Sequence, residues 1–221
     1  MSSAEVSRPL LIKVCGMTQA ENIRAVEALG VDWMGFIFYP RSPRFIDQCP
    51  SYLPSQARRV GVFVNASLEE ISRRIHQFGL QSVQLHGDEE PAFCRKVGNL
   101  GAEVIKAFSI RSEADIEATQ TYEGRCHYLL FDTPTAGRGG SGVAFDWRLL
   151  STYRGQTPFL LSGGISPESV EALRLFSHPQ WAGIDLNSRF ESAPGVKSIP
   201  LLAPFIQEVR KLKGPVLTRE N

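Results

Sequence analysis

The stretch Pro158-Phe159-Leu160-Leu161-Ser162-Gly163-Gly164-Ile165-Ser166-Pro167-Glu168 carries the reading of the fold. Phe159 to Leu161 form an apolar run suited to a buried strand. Two glycines follow, which have no Cβ, so the backbone can turn sharply and approach a ligand closely. Ser166 is a suitable helix N-cap and Pro167 fits the first helical position. Backbone N–H groups at such a turn face outward, and the helix dipole adds positive potential there, which suits a phosphate. A tight strand-to-helix turn with no ligand has the same pattern. The next apolar run, Trp181-Ala182-Gly183-Ile184-Asp185-Leu186-Asn187-Ser188, ends in small polar residues. Two neighbouring strands with such ends fit the phosphate site after strands 7 and 8 of a (β/α)8 barrel.

Six more strand–helix units can be read upstream. The predicted strands are Leu10 to Cys15, Trp33 to Phe38, Val60 to Val64, Val83 to Leu85, Val104 to Phe108 and Tyr128 to Phe131. Thr18 is expected to cap the first helix, through about Leu29, and Ser67 and Asp88 two later ones. A short helix is expected over Tyr52 to Arg58, another at 112–121, and one from about Asp146 after the Gly-rich loop Gly137 to Gly142. A last helix, Ser198 to Leu212, is expected to be interrupted by Pro200 and Pro204. Alternating strands and helices imply parallel strands with right-handed crossovers. The expected fold is a single α/β domain over 1–221, a (β/α)8 TIM barrel; an open doubly wound sheet is the alternative. Residues 1–9 are expected to be a flexible extension and 213–221 a flexible tail.

Bulk properties narrow the function. The chain has 221 residues and a formal net charge of +1. An α/β barrel runs to about 250 residues as one domain. The balanced charge offers no reason to expect nucleic acid or a membrane as partner. No apolar run reaches transmembrane length, and Met1 to Pro9 is polar rather than signal-like. The four cysteines, Cys15, Cys49, Cys94 and Cys126, show no Cys-x-x-Cys or zinc-type spacing. A reduced, cytoplasmic protein is expected, with no metal and no cofactor.

In a barrel, the residues just after each strand converge on one mouth. These are Cys15, Arg44, Asn65, His86, Asp132, the Gly163-Gly164 pair, and Asp185, Asn187 and Ser188. Each has a structural alternative: a buried small hydrophobe for the cysteine, a hydrogen-bonded residue for the histidine, a turn residue for Asp132, a solvated side chain for Arg44. Together they would supply a thiol, a carboxyl group, a guanidinium fork matched to a carboxylate, and an anion cradle. A base and an acid on opposite sides of a substrate suit isomerisation.

Several motifs resemble those of phosphoribosylanthranilate isomerase. They include Lys13-Val14-Cys15-Gly16-Met17-Thr18, Gly35-Phe36-Ile37-Phe38 with Ser42-Pro43-Arg44, and Gly61-Val62-Phe63-Val64-Asn65. Val83-Gln84-Leu85-His86-Gly87-Asp88-Glu89, Leu130-Phe131-Asp132-Thr133, and Gly139-Gly140-Ser141-Gly142 with Phe145-Asp146-Trp147 follow in order. Leu161-Ser162-Gly163-Gly164-Ile165, and Asp185-Leu186-Asn187-Ser188 with Glu191 and Pro194-Gly195-Val196-Lys197, complete the set. The resemblance runs from about Leu10 to Lys197. It implies a cofactor-independent Amadori rearrangement of N-(5-phosphoribosyl)anthranilate to 1-(2-carboxyphenylamino)-1-deoxyribulose 5-phosphate in tryptophan biosynthesis. It further implies that Cys15 is the general base at ribose C2 and Asp132 the general acid at the ring oxygen. Arg44 would hold the anthranilate carboxylate; Gly163, Gly164, Asn187 and Ser188 the phosphate; His86 and Asp185 would line the pocket. Arg189 departs from the small residue common in the family and is expected to face solvent. The partner is then a phosphorylated small molecule, and a monomer is expected rather than a homodimer. Another sugar-phosphate isomerase or epimerase barrel, or a non-catalytic phosphate-ligand sensor on the same fold, are the alternatives.

Overall fold

The computed structural model describes residues 7–132 and 147–216. Eight parallel strands form a closed barrel: β1 (Leu11–Val14), β2 (Trp33–Ile37), β3 (Arg58–Phe63), β4 (Ser82–Leu85), β5 (Glu103–Ser109), β6 (Tyr128–Asp132), β7 (Phe159–Ser162) and β8 (Trp181–Leu186). The barrel closes where β1 pairs with β8, placing Lys13 beside Asp185 and Val14 beside Leu186. Outer helices are α1 (Ala20–Glu27), α2 (Leu68–Phe78), α3 (Pro91–Gly98), α4 (Glu113–Ala118), α5 (Val170–Leu175) and α6 (Ile199–Arg210).

Strand side chains alternate between the barrel interior and the surrounding helices. One set, Trp33, Val60, Ile105, Ala107, Leu130 and Leu160, forms a separate buried cluster with Leu11 and Tyr128 packed on it. The opposite set, including Ile12, Val14, Met34, Val104, Leu129, Phe131, Ile184 and Leu186, packs in the larger cluster with the helices. The period of two then fixes what lies above the apolar floor. Lys13 and Cys15 follow Leu11 on the interior side, Asp132 follows Leu130, and Ser162 follows Leu160. This alternation, not any single motif, brings residues from distant parts of the chain to one mouth.

Several local expectations change in the structure. The segment from Tyr52 to Ala57 is not helical. The backbone N–H groups of Ser55, Gln56 and Ala57 all donate to Glu27 Oε1, at 2.7, 2.6 and 3.1 Å, and the Tyr52 hydroxyl donates to the same carboxylate. An acceptor on α1 thus takes the donors that a helix would have used. Thr18 does not cap α1; its Oγ1 donates to the Gly195 carbonyl at 2.9 Å, and Gln19 holds the N-cap position. Asp88 does not cap α3, which starts at Pro91 after Glu90; the Asp88 N–H donates to Asn65 Oδ1 at 2.8 Å. Helix α6 runs unbroken through Pro204. Pro200 lies in the first turn, where a missing N–H costs nothing.

Ser67 caps α2 as expected, accepting from the Glu70 N–H at 3.1 Å. Ser112 caps α4 with a reciprocal bond to Asp115, and a 3-10 turn, Thr119–Tyr122, follows that helix. Ser166 caps a 3-10 turn, Pro167–Ser169, that leads into α5. The loop Gly137 to Gly142 and the expected helix start at Asp146 lie outside the described residues; Trp147–Thr152 is a 3-10 helix. Ser7–Pro9, expected to be flexible, pairs antiparallel with Lys213–Val216. Backbone pairing across the barrel floor thus joins the two end segments. Among the described residues, no helix is long and apolar enough to cross a membrane.

Candidate active site

A cavity of about 470 Å³ opens at the C-terminal ends of the strands. Its wall includes Cys15, Gln84, His86, Asp132, Asp185, the run Ser162 to Ile165, and Asn187, Ser188 and Arg189. Eight of the ten strand-end residues singled out from the sequence therefore share one cavity, all but Asn65 and Arg44. Arg44 is absent from that wall. It stands beside it: a Cβ added to Gly16, next in chain to Cys15, would lie 2.6 Å from Arg44 Cδ and 3.1 Å from Asn187 Oδ1.

Cys15 is buried, directly after β1, and its N–H donates to the Leu186 carbonyl at 2.8 Å. Burial holds its thiol above the ordinary range, and Lys13 and Lys197 offset that rise only in part. Lys13 is fully buried below it and donates to Asp185 Oδ1 at 2.8 Å. Burial works against the Lys13 charge, but Asp185 and Cys15 outweigh it, so its pKa stands above the usual value. Isolated, a charge at this depth would cost several kcal/mol. The strand register makes the pair possible, because Lys13 and Asp185 are direct neighbours across the β1–β8 seam.

Asp132, the last residue of β6, faces the same cavity half-buried. His86 Nε2 lies 3.4 Å from its Oδ2. Behind the histidine, His86 Nδ1 lies 3.1 Å from Gln84 Nε2, and the buried Gln84 Oε1 has no hydrogen-bond partner among the described residues. Gly163 and Gly164 both adopt positive φ, +80° and +67°, so the chain turns at the end of β7 in a conformation that favours glycine. Arg189 is exposed at the rim. Asn65 is not part of the cavity wall; its backbone N–H donates to Glu89 Oε1 at 2.8 Å, tying the loops after β3 and β4 together.

Three polar residues at or beside the cavity, Lys13, Gln84 and Lys197, were not singled out by the sequence reading. Lys13 and Gln84 each stand two positions before a predicted site residue, on the same side of the strand. A charged or amide side chain within an otherwise apolar strand is the signal that could have flagged them. Lys197 had no such signal, because its partners are set by a hairpin. Among the described residues, no three His, Cys, Asp or Glu side chains are grouped to hold a metal ion.

A parallel eight-stranded barrel, with a thiol, a carboxyl group and a double-glycine turn around one C-terminal cavity, defines a (β/α)8-barrel enzyme. A family model described as N-(5'phosphoribosyl)anthranilate (PRA) isomerase matches residues 12–208. The chain belongs to that family, and it is an isomerase of tryptophan biosynthesis. A relative from Phocaeicola vulgatus, named N-(5'-phosphoribosyl)anthranilate isomerase, is 53% identical over 202 residues, covering 91% of this chain and 98% of its own. The crystal structure of phosphoribosyl anthranilate isomerase from Thermotoga maritima superposes with a TM-score of 0.78 at 34% identity, covering 92% of this chain and all of that one. A crystal structure of phosphoribosyl anthranilate isomerase in complex with reduced 1-(o-carboxyphenylamino)-1-deoxyribulose 5-phosphate matches with a TM-score of 0.76 at 32% identity, with coverage of 92% and 100%.

Proposed function

We propose that this isomerase converts N-(5'-phosphoribosyl)anthranilate to 1-(2-carboxyphenylamino)-1-deoxyribulose 5-phosphate with Cys15 as base and Asp132 as acid. The protonated Asp132 carboxyl group gives its proton to the ribose ring oxygen. The bond from that oxygen to C1 breaks, and the anthranilate nitrogen supplies the electron pair, leaving an iminium at C1. The Cys15 thiolate then takes the proton from C2, and the C2–H electron pair forms the C1–C2 double bond of an enolamine. Moving the enol proton to C1 yields the ketone. No net oxidation occurs; two hydrogens change place between C1, C2 and their oxygens.

The observation that supports this reading is that Cys15 and Asp132 line one cavity with the Gly163-Gly164 turn. The thiol is buried, so burial raises its pKa and the base needs cationic help. Lys13 and Lys197 supply that help by favouring the thiolate. The turn at Gly163 and Gly164, with Asn187 and Ser188, holds the phosphate at the same cavity wall. His86 and Asp185 line the substrate pocket, and Arg44 holds the substrate carboxylate through its guanidinium fork.

The test is a fluorescence assay following loss of the anthranilate substrate. Cys15→Ala and Asp132→Asn should each lower turnover by roughly 10²–10⁴-fold with a smaller change in KM. Turnover near wild type in either variant would remove that residue from the mechanism. The protein is a monomer in this reading. Among the described residues only Leu175 and Leu201 are large exposed hydrophobics, too little apolar surface for a stable obligate interface. Light scattering on the purified chain should give a single mass near 24.5 kDa; twice that mass would refute it.

A further inference from the structure

Glu191 opens a short hairpin after β8, in which Glu191–Ala193 pairs with Val196–Lys197. Glu191 and Lys197 are absent from the cavity wall, yet their side chains are only 5% and 0% exposed. Buried ions of this kind are tolerated only with further well-formed bonds. Glu191 has them. Its Oε1 accepts from Lys197 Nζ at 2.6 Å and from the Gly195 N–H at 3.2 Å. Arg44 Nε donates to both carboxylate oxygens, at 2.8 and 3.0 Å, and Arg44 Nη2 donates to Oε2 at 2.6 Å. Lys197 Nζ in turn donates to Asn187 Oδ1 at 2.7 Å. An unbroken line of bonded polar groups therefore runs from Arg44, in the loop after β2, to Asn187, in the loop after β8.

The bonding pattern selects which edges remain for a ligand. A guanidinium carries five N–H donors in a rigid fork. Glu191 occupies the Nε/Nη2 edge, so the Nη1/Nη2 edge is the one left to meet a carboxylate with two parallel bonds. Lys197 occupies the accepting end of the Asn187 amide and leaves its donating end for an anion. Two cations share one carboxylate, and burial holds the Lys197 pKa below its usual value against the pull of Glu191. Burial alone would push the Glu191 carboxyl up, but Arg44 and Lys197 together hold it below the usual range.

We propose that Glu191, acting with Lys197, is a positioning residue that couples the two anion-binding ends of the site. It fixes the Arg44 fork for the substrate carboxylate and, through Lys197, the Asn187 amide for the phosphate. This inference rests on the roles given above to Arg44 and Asn187.

The experiment measures substrate KM and kcat, and the inhibition constant of inorganic phosphate, for Arg44→Ala, Glu191→Ala and Glu191→Gln. Arg44→Ala should raise KM and leave the phosphate constant unchanged. Glu191→Ala should raise both constants about fivefold or more, with kcat falling less than about threefold. Glu191→Gln keeps an oxygen that can accept from Arg44 and should recover part of the loss. If Glu191→Ala leaves KM unchanged while Arg44→Ala raises it, Glu191 does not position the fork. If KM rises but the phosphate constant does not, the coupling to Asn187 is overturned. Should Glu191→Ala fail to fold, a folded Glu191→Gln with wild-type values for both constants would overturn the proposal. An unchanged KM in Arg44→Ala would instead remove the carboxylate clamp, and this proposal with it.

Discussion

The position of the Cys15 sulfur depends on a residue that does no chemistry. Gly35 lies in the neighbouring strand β2, where a Cβ would stand 2.6 Å from Cys15 Sγ, 3.1 Å from its Cα and 3.2 Å from its Cβ. The backbone atom cannot yield cheaply, and the sulfur has to move. Because proton transfer requires the base within hydrogen-bond reach of its target, such a shift falls on turnover. Gly35→Ala should therefore lower kcat by about tenfold or more with a folded circular-dichroism spectrum. A folded variant with wild-type kcat would show that the thiol tolerates displacement. The sequence displayed Cys15 as a residue at a strand end, so its place at the mouth was legible. The need for glycine at position 35 was not, because it arises across a strand pair and leaves no local pattern.

At the scale of elements, what was legible is what is decided within a few residues. Ser67 and Ser112 were read correctly as helix starts because each cap is closed by a residue three positions on. Thr18, Asp88 and the segment 52–57 were misread for one shared reason. In each, a partner distant in sequence takes the local group: the Gly195 carbonyl, the Asn65 side chain and the Glu27 carboxylate. Propensity ranks local alternatives and is blind to such capture. The same blindness hid what Glu191 does, although the residue stands in a quoted motif, because its partner Arg44 lies on another loop. The contrast can be tested on α2. Ser67→Ala removes one cap bond and should cost about 1 kcal/mol. For a chain of this size that lowers the melting midpoint by roughly 2–4 °C. Ser67 touches nothing in the cavity, so kcat and KM should stay at wild-type values. A midpoint unchanged by the substitution would mean that the cap bond contributes nothing to stability.

The molecule as a whole divides its work between the two ends of the barrel. Strand–helix alternation made the eight-fold architecture legible, and strand parity made the mouth legible. The manner in which the chain secures its floor was not, since it joins residues 178 to 200 positions apart. Arg210, at the end of α6, donates from Nη1 to the Leu10 carbonyl at 2.8 Å, and from Nη2 to the Gly30 carbonyl at 2.6 Å and Asp32 Oδ2 at 2.8 Å. Asp32 Oδ2 also accepts the Ile12 N–H at 2.7 Å. One guanidinium thus fastens the last helix to the entry of β1 and to the turn that leads into β2. These contacts sit at the N-terminal ends of the strands, opposite the cavity, where a barrel's side chains serve stability rather than chemistry. Arg210→Ala leaves two carbonyls and a carboxylate short of a donor. The partly exposed site lets water replace some of the loss, so the cost should be about 1–3 kcal/mol. The melting midpoint should fall by several degrees while kcat and KM remain unchanged. Melting curves and the fluorescence assay run on the same preparation separate the two quantities. A fall in kcat at a temperature where the variant is fully folded would show that the floor transmits strain to the mouth, and the division between the two ends would not hold.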